Sequence, residues 1–300
     1  MTPIQTLDLN FQNQPHTIAA FLIPHADGGI LIESGPGSTL ENLKNGLAQH
    51  SLSPADITHV LLTHIHLDHA GAAGWLARQG AHIYVHHIGA PHMLNPERLL
   101  ISAKRIYGDQ MEPLWGEFLP VPADKLTPLS DGDAITIGNL QFTALDTPGH
   151  ATHHMSYLFD DLCFTGDVGG VRLPGVEHVR VPAPPPEFHL EQWRKSLARL
   201  RRLPLRRLAP THFGIFDDPQ SHLNTLEKAL NDLETWMENA LSTPSSIEDL
   251  KTHLTQWTYQ TARAQGLSED LWQAYELVNP IWMSVFGIHR YWNKVLHPAE

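Results

Sequence analysis

Thr63-His64-Ile65-His66-Leu67-Asp68-His69 decides the reading of this chain. Four metal-competent side chains stand within six residues, at the end of the apolar run His59-Val60-Leu61-Leu62-Thr63. That run is short and bounded like a buried strand. Side-chain direction repeats every two residues along an extended stretch, so His64 and His66 point the same way. The backbone then turns into a helix expected over Gly71 to Gln79 and ended by Gly80. Asp68 and His69 can therefore face a second point nearby, and one loop can serve two adjacent metal positions. A lone His or Asp at a strand end is ordinarily a solvated loop residue. A loop crowded with imidazole and carboxylate behind an apolar strand is different, because it is costly to organise unless a cation satisfies those groups.

Three later positions share this character, each at a strand end or in the turn after it. His150 closes Asp146-Thr147-Pro148-Gly149-His150, Asp167 closes Thr165-Gly166-Asp167, and His212 closes Ala209-Pro210-Thr211-His212. An α/β fold sets such loops along one edge of its sheets, where distant side chains can converge. Strands are expected at Ile18 to Pro24 and Gly29 to Glu33 across an Asp27-Gly28 turn, and at His82 to His86. Further strands are expected at Ala134 to Ile137, Leu140 to Leu145, Met155 to Phe159, Leu162 to Thr165 and Arg206 to Pro210. Leu40 to His50 reads as an amphipathic helix, residues 93–120 as a helical insert, and Pro182 to Pro186 as an extended surface loop.

From Pro219 the texture becomes helical, with Leu223, Leu226, Leu230 and Leu233 at helical spacing. Pro244-Ser245-Ser246 breaks that run, Ile247 to Ala264 reads as a second helix, and Pro280 stands near the start of the last. The expected organisation is a metal-binding domain over residues 1–218 and a helical region over 219–300.

Composition narrows the classes. The 300 residues are 42% hydrophobic and 17% charged, which excludes a disordered chain. No apolar run reaches the roughly 18 residues of a membrane span. The start Met1-Thr2-Pro3-Ile4-Gln5 has neither a basic nor an apolar leader stretch, so a cytoplasmic protein is expected. One cysteine, Cys163, rules out an intrachain disulfide and a multi-cysteine zinc site, and its strand setting marks it as a buried apolar residue. A net charge of −12 argues against a binder of nucleic-acid phosphates. Histidine is the unusual count: its 21 copies outnumber the 20 Lys and Arg together.

The motif and the three later positions resemble the metallo-β-lactamase-fold metallohydrolase superfamily, whose signature is His-x-His-x-Asp-His followed by separate His, Asp and His. The likeness covers roughly residues 15–215 in motif order, with all seven ligand positions filled. It implies an αββα sandwich of class α/β (α+β), here with a C-terminal helical extension. It also implies one metal held by His64, His66 and His150 and a second by Asp68, His69 and His212, with Asp167 bridging. One departure stands out. The early strand-end position, often Asp in the family, is Glu33, which either orients a ligand loop with a longer arm or is an ordinary turn residue.

Two divalent ions would bridge a water and supply hydroxide near neutral pH, with Asp68 orienting the nucleophile. The all-nitrogen-and-oxygen ligand set suits zinc first, with manganese or iron as alternatives. The expected activity is hydrolysis of a small ester, thioester or lactone, in the glyoxalase II-like or lactonase-like branch. Residues 220–300 offer no match to that branch's glutathione-binding basic residues. The alternatives are a mononuclear-iron oxidoreductase resembling persulfide dioxygenases and, less favoured by charge, a phosphodiesterase or nuclease. His153 and His154 are candidates for supporting a ligand or touching substrate, and Tyr107 and Trp115 for a lid or pocket wall. His86, His87 and His92 read as structural or loop residues. The partners expected are a small-molecule substrate and, through the helical regions, a second copy of the chain; no nucleic acid or membrane is expected.

Overall fold

The computed structural model describes residues 3–243 and 245–298. Met1, Thr2 and Pro244, which carry part of the expectations about the start of the chain and the helix break, lie outside the described residues. One sheet runs in sequential order through β1 (Gln5–Asp8), β2 (Ala19–His25), β3 (Gly28–Ile32), β4 (Ile57–Leu61), β5 (His82–His86) and β6 (Leu126–Leu129). The second is built from β7 (Ala134–Ile137), β8 (Leu140–Asp146), β9 (Met155–Phe159), β10 (Leu162–Phe164) and β11 (Arg207–Ala209), again in sequential order. Strands β3 to β6 pair in parallel, whereas the second sheet is antiparallel except at β10–β11.

The helices are α1 (Leu40–Gln49), α2 (Leu67–Ala70), α3 (Ala73–Gln79), α4 (Ala90–Leu94), α5 (Glu97–Tyr107), α6 (Met111–Trp115) and α7 (Leu190–Leu200). After them come α8 (Pro219–Leu241), α9 (Ile247–Ala264), α10 (Glu269–Val278) and α11 (Ile281–Tyr291). Ser246 and Ser268 cap α9 and α10 through Asp249 N at 3.1 Å and Leu271 N at 3.2 Å.

Alternation in β2 shows why the layers form. Ala19, Phe21 and Ile23 face the second sheet, where Phe142, Tyr157 and Phe164 meet them, while Ala20 and Leu22 face Leu43 and Leu47 of α1. The outer face of the second sheet, including Cys163 and Leu208, packs on α7 and the C-terminal helices through Trp193, Leu223 and Leu226. The result is the αββα sandwich with a helical extension. Among the described residues no helix is long and apolar enough to cross a membrane.

The structure departs from the sequence reading in a few places. Strand β4 ends at Leu61, so Thr63 already belongs to the loop, and helical turns begin at Leu67, earlier than Gly71. The helix breaks at Gly71-Ala72 before α3 resumes. Strands β1 and β6 and helix α7 were not expected. In β1 only Leu7 is buried, β6 contains Pro128, and the stripe Leu190, Trp193, Leu197 and Leu200 of α7 is interleaved with Arg and Lys. The Pro182 to Pro186 loop is not simply at the surface, since Pro182 and Ala183 are buried.

One buried histidine of the extension makes stability depend on pH. His222 of α8 has Nε2 2.7 Å from the Gly169 carbonyl and Nδ1 3.3 Å from Arg172 Nη1. Nε2–H donates to the carbonyl, so the Nδ1 lone pair faces a guanidinium. Burial, partly opposed by the Gly169 carbonyl and reinforced by the Arg172 charge, pushes its pKa down to about 4. Below its ordinary value of about 6.5 the unfolded chain takes up a proton that the folded chain refuses. The contribution is therefore intact above that pH and is lost as pH falls towards 4. His222→Gln in metal-free protein is expected to flatten the fall of urea-unfolding free energy across that window by up to about 1.4 kcal/mol per pH unit. Equal slopes for the two proteins would refute this.

Candidate metal centre

The loops that leave β3, β4, β8, β10 and β11 all open on one edge of the sandwich. They carry Glu33, the His64–His69 motif, His150, Asp167 and His212 to that edge. Two glycines let the loops close up. At Gly149, with φ +142°, a Cβ would sit 2.4 Å from Trp193 Cα, so only glycine lets His150 come in against α7. At Gly166, with φ +52°, a Cβ would meet Thr63 Oγ1 at 2.5 Å, which keeps the Asp167 turn against the motif.

Hydrogen bonds around the rings fix which nitrogens face inward. His64 Nδ1 lies 3.0 Å from Thr63 Oγ1, and that hydroxyl donates its own proton to Glu33. His64 must therefore donate from Nδ1 and keep a lone pair on Nε2. His150 donates from Nδ1 to the Pro182 carbonyl at 2.9 Å, which leaves its Nε2 lone pair free. Both Nε2 atoms converge on His66 Nδ1, at 3.0 Å and 2.9 Å. A proton on His66 Nδ1 can satisfy one of those contacts and not both. Three nitrogen donors directed at one point suit a cation.

The second cluster repeats the pattern. His69 donates from Nδ1 to Glu33 at 2.9 Å, and His212 donates from Nδ1 to the Thr17 carbonyl at 2.9 Å. Their Nε2 lone pairs face carboxylates: His69 lies 3.2 Å from Asp167 Oδ1, and His212 lies 3.4 Å from Asp68 Oδ2 and 3.5 Å from Asp167 Oδ1. Asp167 Oδ2 is also 3.4 Å from His150 Nε2, so this carboxylate stands between the two clusters. His69 Nε2 and Asp167 Oδ1 are buried without a hydrogen-bond partner. Each of the two groups, His64–His66–His150 and Asp68–His69–His212, has its ligand atoms within 4.8 Å of one another.

The electrostatics call for positive charge. Burial pulls the His69 imidazole down, but Asp68, Asp167 and Glu33 outweigh it and raise its pKa well above the ordinary value. Asp167 is the mirror case, pushed up by burial but held well below the ordinary value by His69, His150 and His212. Burial likewise pushes Asp68 up, yet His69 and His212 hold it at about 2. In the imidazole cluster, burial and the neighbouring rings depress His64 well below its ordinary value, and burial with His150 lowers His66 to about 4. One cluster thus resists protonation and the other draws protons in, and divalent ions would satisfy both.

Glu33 is fully buried with φ +68°, an uncommon conformation for a side chain of this kind. Its carboxylate accepts from Thr63 N at 3.2 Å, Thr211 Oγ1 at 2.9 Å, the Thr63 hydroxyl and His69 Nδ1. It joins the motif loop, the His212 loop and the end of β3. Ser34 adds to the clamp, with both N and Oγ donating to the His69 carbonyl at 2.9 and 2.8 Å. His154 spends its nitrogens on Thr147 Oγ1 at 3.0 Å and Val168 N at 3.3 Å. His153 faces Glu187 at 3.3 Å, and Glu187 in turn accepts from Thr152 N at 3.0 Å.

A cavity of about 430 Å³ opens over the clusters, lined by His66, Asp68, His150, His153 and Asp167. Tyr107 and Trp115 form part of its wall, and burial with the nearby Asp68 charge raises the Tyr107 pKa. His92 also lines it, whereas His86 is buried beside Asp146 at 3.3 Å. The Pro182–Phe188 loop, a further candidate for a lid or pocket wall from the sequence, contributes Pro182, Pro184 and Glu187 to the lining, whereas sequence reasoning missed Arg98, Glu276 and Trp282. No local pattern marks Glu276 and Trp282, since the ends of α10 and α11 reach the cavity only through tertiary packing.

Comparison with known proteins agrees with this geometry. A family profile described as Metallo-beta-lactamase superfamily matches residues 14–212. An atrochrysone carboxyl ACP thioesterase of Aspergillus fumigatus is 30% identical over 196 residues, which is 64% of this chain and 49% of that protein. A hydroxyacylglutathione hydrolase of Pseudoalteromonas translucida is 31% identical over 132 residues, 44% of this chain and 38% of that protein. The chain therefore spans at most about half the length of these two curated relatives. In fold it is similar to a metallo-beta-lactamase family protein of Thermus thermophilus, TTHA1429. The TM-score is 0.70 at 20% identity, covering 96% of this chain and 92% of the other.

Proposed function

Because the chain belongs to the metallo-β-lactamase superfamily, we propose that it is a metal-dependent hydrolase of a small ester, thioester or lactone. The observation that carries this reading is the set of outer nitrogens already engaged by Thr63, Pro182, Glu33 and Thr17, which leaves the inner lone pairs converging. His64, His66 and His150 would hold one ion, Asp68, His69 and His212 another, and Asp167 would reach both. Such a pair, when bound, supplies Lewis acidity and a water-derived nucleophile at neutral pH.

The remaining work falls to the chain. Asp68 lines the cavity and is held ionised, so it can accept a proton contact from the attacking water and fix its direction. Glu33 holds the His69 ring in one tautomer and orientation. Tyr107 and Trp115 give the cavity an apolar wall against which an acyl group would pack. Attack adds water across the acyl bond, releasing an acid and an alcohol or thiol, or opening a lactone to a hydroxy acid. The names of the thioesterase and hydroxyacylglutathione hydrolase relatives support an acyl substrate.

Metal analysis tests the reading. Purified protein is expected to carry close to two transition-metal ions per chain, zinc foremost. Chelation should abolish turnover on a panel of thioesters and lactones, and Zn²⁺, Mn²⁺ or Fe²⁺ should restore it. A single iron per chain with oxygen uptake on a persulfide would replace the hydrolase reading with an oxidoreductase.

A further inference from the structure

We infer that the substrate of this centre presents an uncharged apolar chain, seated between α5 and α11 along a row of aromatic rings. The inference rests on the hydrolase reading above and names the substrate class of the same site. The row starts inside the N-terminal core, where Phe11 stacks on Trp115 with centroids 5.4 Å apart. It continues from Trp115 to Tyr107 at 5.1 Å, from Tyr107 to Trp282 at 6.2 Å and from Trp282 to Phe286 at 6.4 Å. Its three middle rings line the cavity that also holds His66, Asp68 and Asp167. Phe286, the last ring, is 44% exposed. The row therefore crosses the cavity over the candidate metal centre, with Phe286 beyond the lining at the exposed end.

Helix α5, which carries Tyr107 of the row, supplies more of the wall. Leu99, Ala103 and Tyr107 recur every four residues and all face the cavity, as does Ile106, which is 36% exposed at the rim. Large apolar side chains left in water beside a cavity mark a surface that something apolar covers. Cations are scarce. Among the described lining residues Arg98 is the only basic side chain besides histidine, and no lysine is present. Glu187 and Glu276 add negative charge, though Glu276 is already engaged by Arg180 at 2.6 Å. A carrier rich in phosphates or carboxylates finds one guanidinium to meet it, whereas an alkyl chain or aryl group finds rings along its whole path.

The test uses N-acetylcysteamine thioesters, whose leaving group is small, uncharged and constant, with acetyl, butanoyl, hexanoyl and octanoyl groups. Each methylene that enters the row should raise kcat/KM by up to about fourfold, chiefly through KM. Octanoyl over acetyl should then exceed tenfold, and octanoyl-coenzyme A should gain nothing over the uncharged thioester. Trp282→Ala, and separately Ile106→Asp at the rim in case the first variant folds poorly, should collapse the octanoyl-to-acetyl ratio. Octanamide binding by calorimetry on metal-free protein gives a readout independent of turnover, and it should weaken at least tenfold in both variants. Turnover without chain-length preference would overturn the inference and leave the hydrolase reading standing. Octanamide binding that the variants weaken, with no thioester or lactone hydrolysed, would do the reverse. Octanamide binding equally to wild type and variants would overturn the inference whatever is hydrolysed.

Discussion

Asp167→Ala is expected to cost at least about a thousandfold in kcat/KM on any acyl substrate the protein turns over. Its carboxylate stands against both imidazole clusters, 3.2 Å from His69, 3.4 Å from His150 and 3.5 Å from His212. Without it two bound ions would lose their shared anionic ligand and repel each other across the gap. Metal analysis on the variant should show occupancy falling from about two ions per chain towards one. The fold should survive, because the turn around residue 167 is held by backbone bonds such as Gly170 N to the Asp167 carbonyl at 2.9 Å. An unchanged circular dichroism spectrum alongside lost activity would establish the point, and a fully active variant would refute the bridging role. His66→Ala should behave similarly, since His66 Nδ1 is the meeting point of His64 and His150.

Arg180→Ala is expected to lower stability strongly, by about 3 kcal/mol. Arg180 is only 6% exposed, with its guanidinium 4.5 Å from the Trp272 ring centre and 5.0 Å from that of Tyr275. Nη1 pairs with Glu276 at 2.6 Å and donates to the Asn279 carbonyl at 3.2 Å. Truncation would strand Glu276 in a partly buried wall and open a gap between two rings. Lysine repairs this only in part: one ammonium could take over the two contacts of Nη1, but a point charge lacks the flat surface that lies over Trp272 and Tyr275. Urea denaturation should show the midpoint falling sharply at an unchanged m-value for Ala, and a substantial fall for Lys. A loss below about 1 kcal/mol in the alanine variant would mean that the pair is not part of what holds α10 down.

The fold was legible wherever a strand had to bury both faces or alternate cleanly. Val60 and Leu61 in β4 and the continuous apolar run Ala19 to Ile23 in β2, buried on both faces, are sequence patterns with one economical structural answer. Edge strand β1 escaped because it buries one side chain, and β6 because Pro128 reads as a breaker while costing little at the sheet's edge. The candidate ligands were legible because imidazole and carboxylate gathered behind an apolar strand have few other uses. The convergence of seven such groups could be expected, but the tautomers could not. They depend on carbonyls such as Thr17 and Pro182, which carry no sequence signature. The cavity's far wall was hidden for the same reason: Trp282 meets Tyr107 across a sequence distance no periodicity spans.

The seven candidate ligands are divided between the two sheets: residues 64–69 follow β4 of the first, whereas His150, Asp167 and His212 follow β8, β10 and β11 of the second. During synthesis, a ribosome that has just completed the first sheet has exposed one histidine-rich loop and nothing to finish either coordination shell. The last candidate donor, His212, is added only after β11, well after the motif loop. An ion captured early would be loosely held and exchangeable, and tight retention would begin only when the two halves dock. On the proposed ligand set, neither ion position would be complete until the two sheets dock, so metal retention would be coupled to sheet assembly.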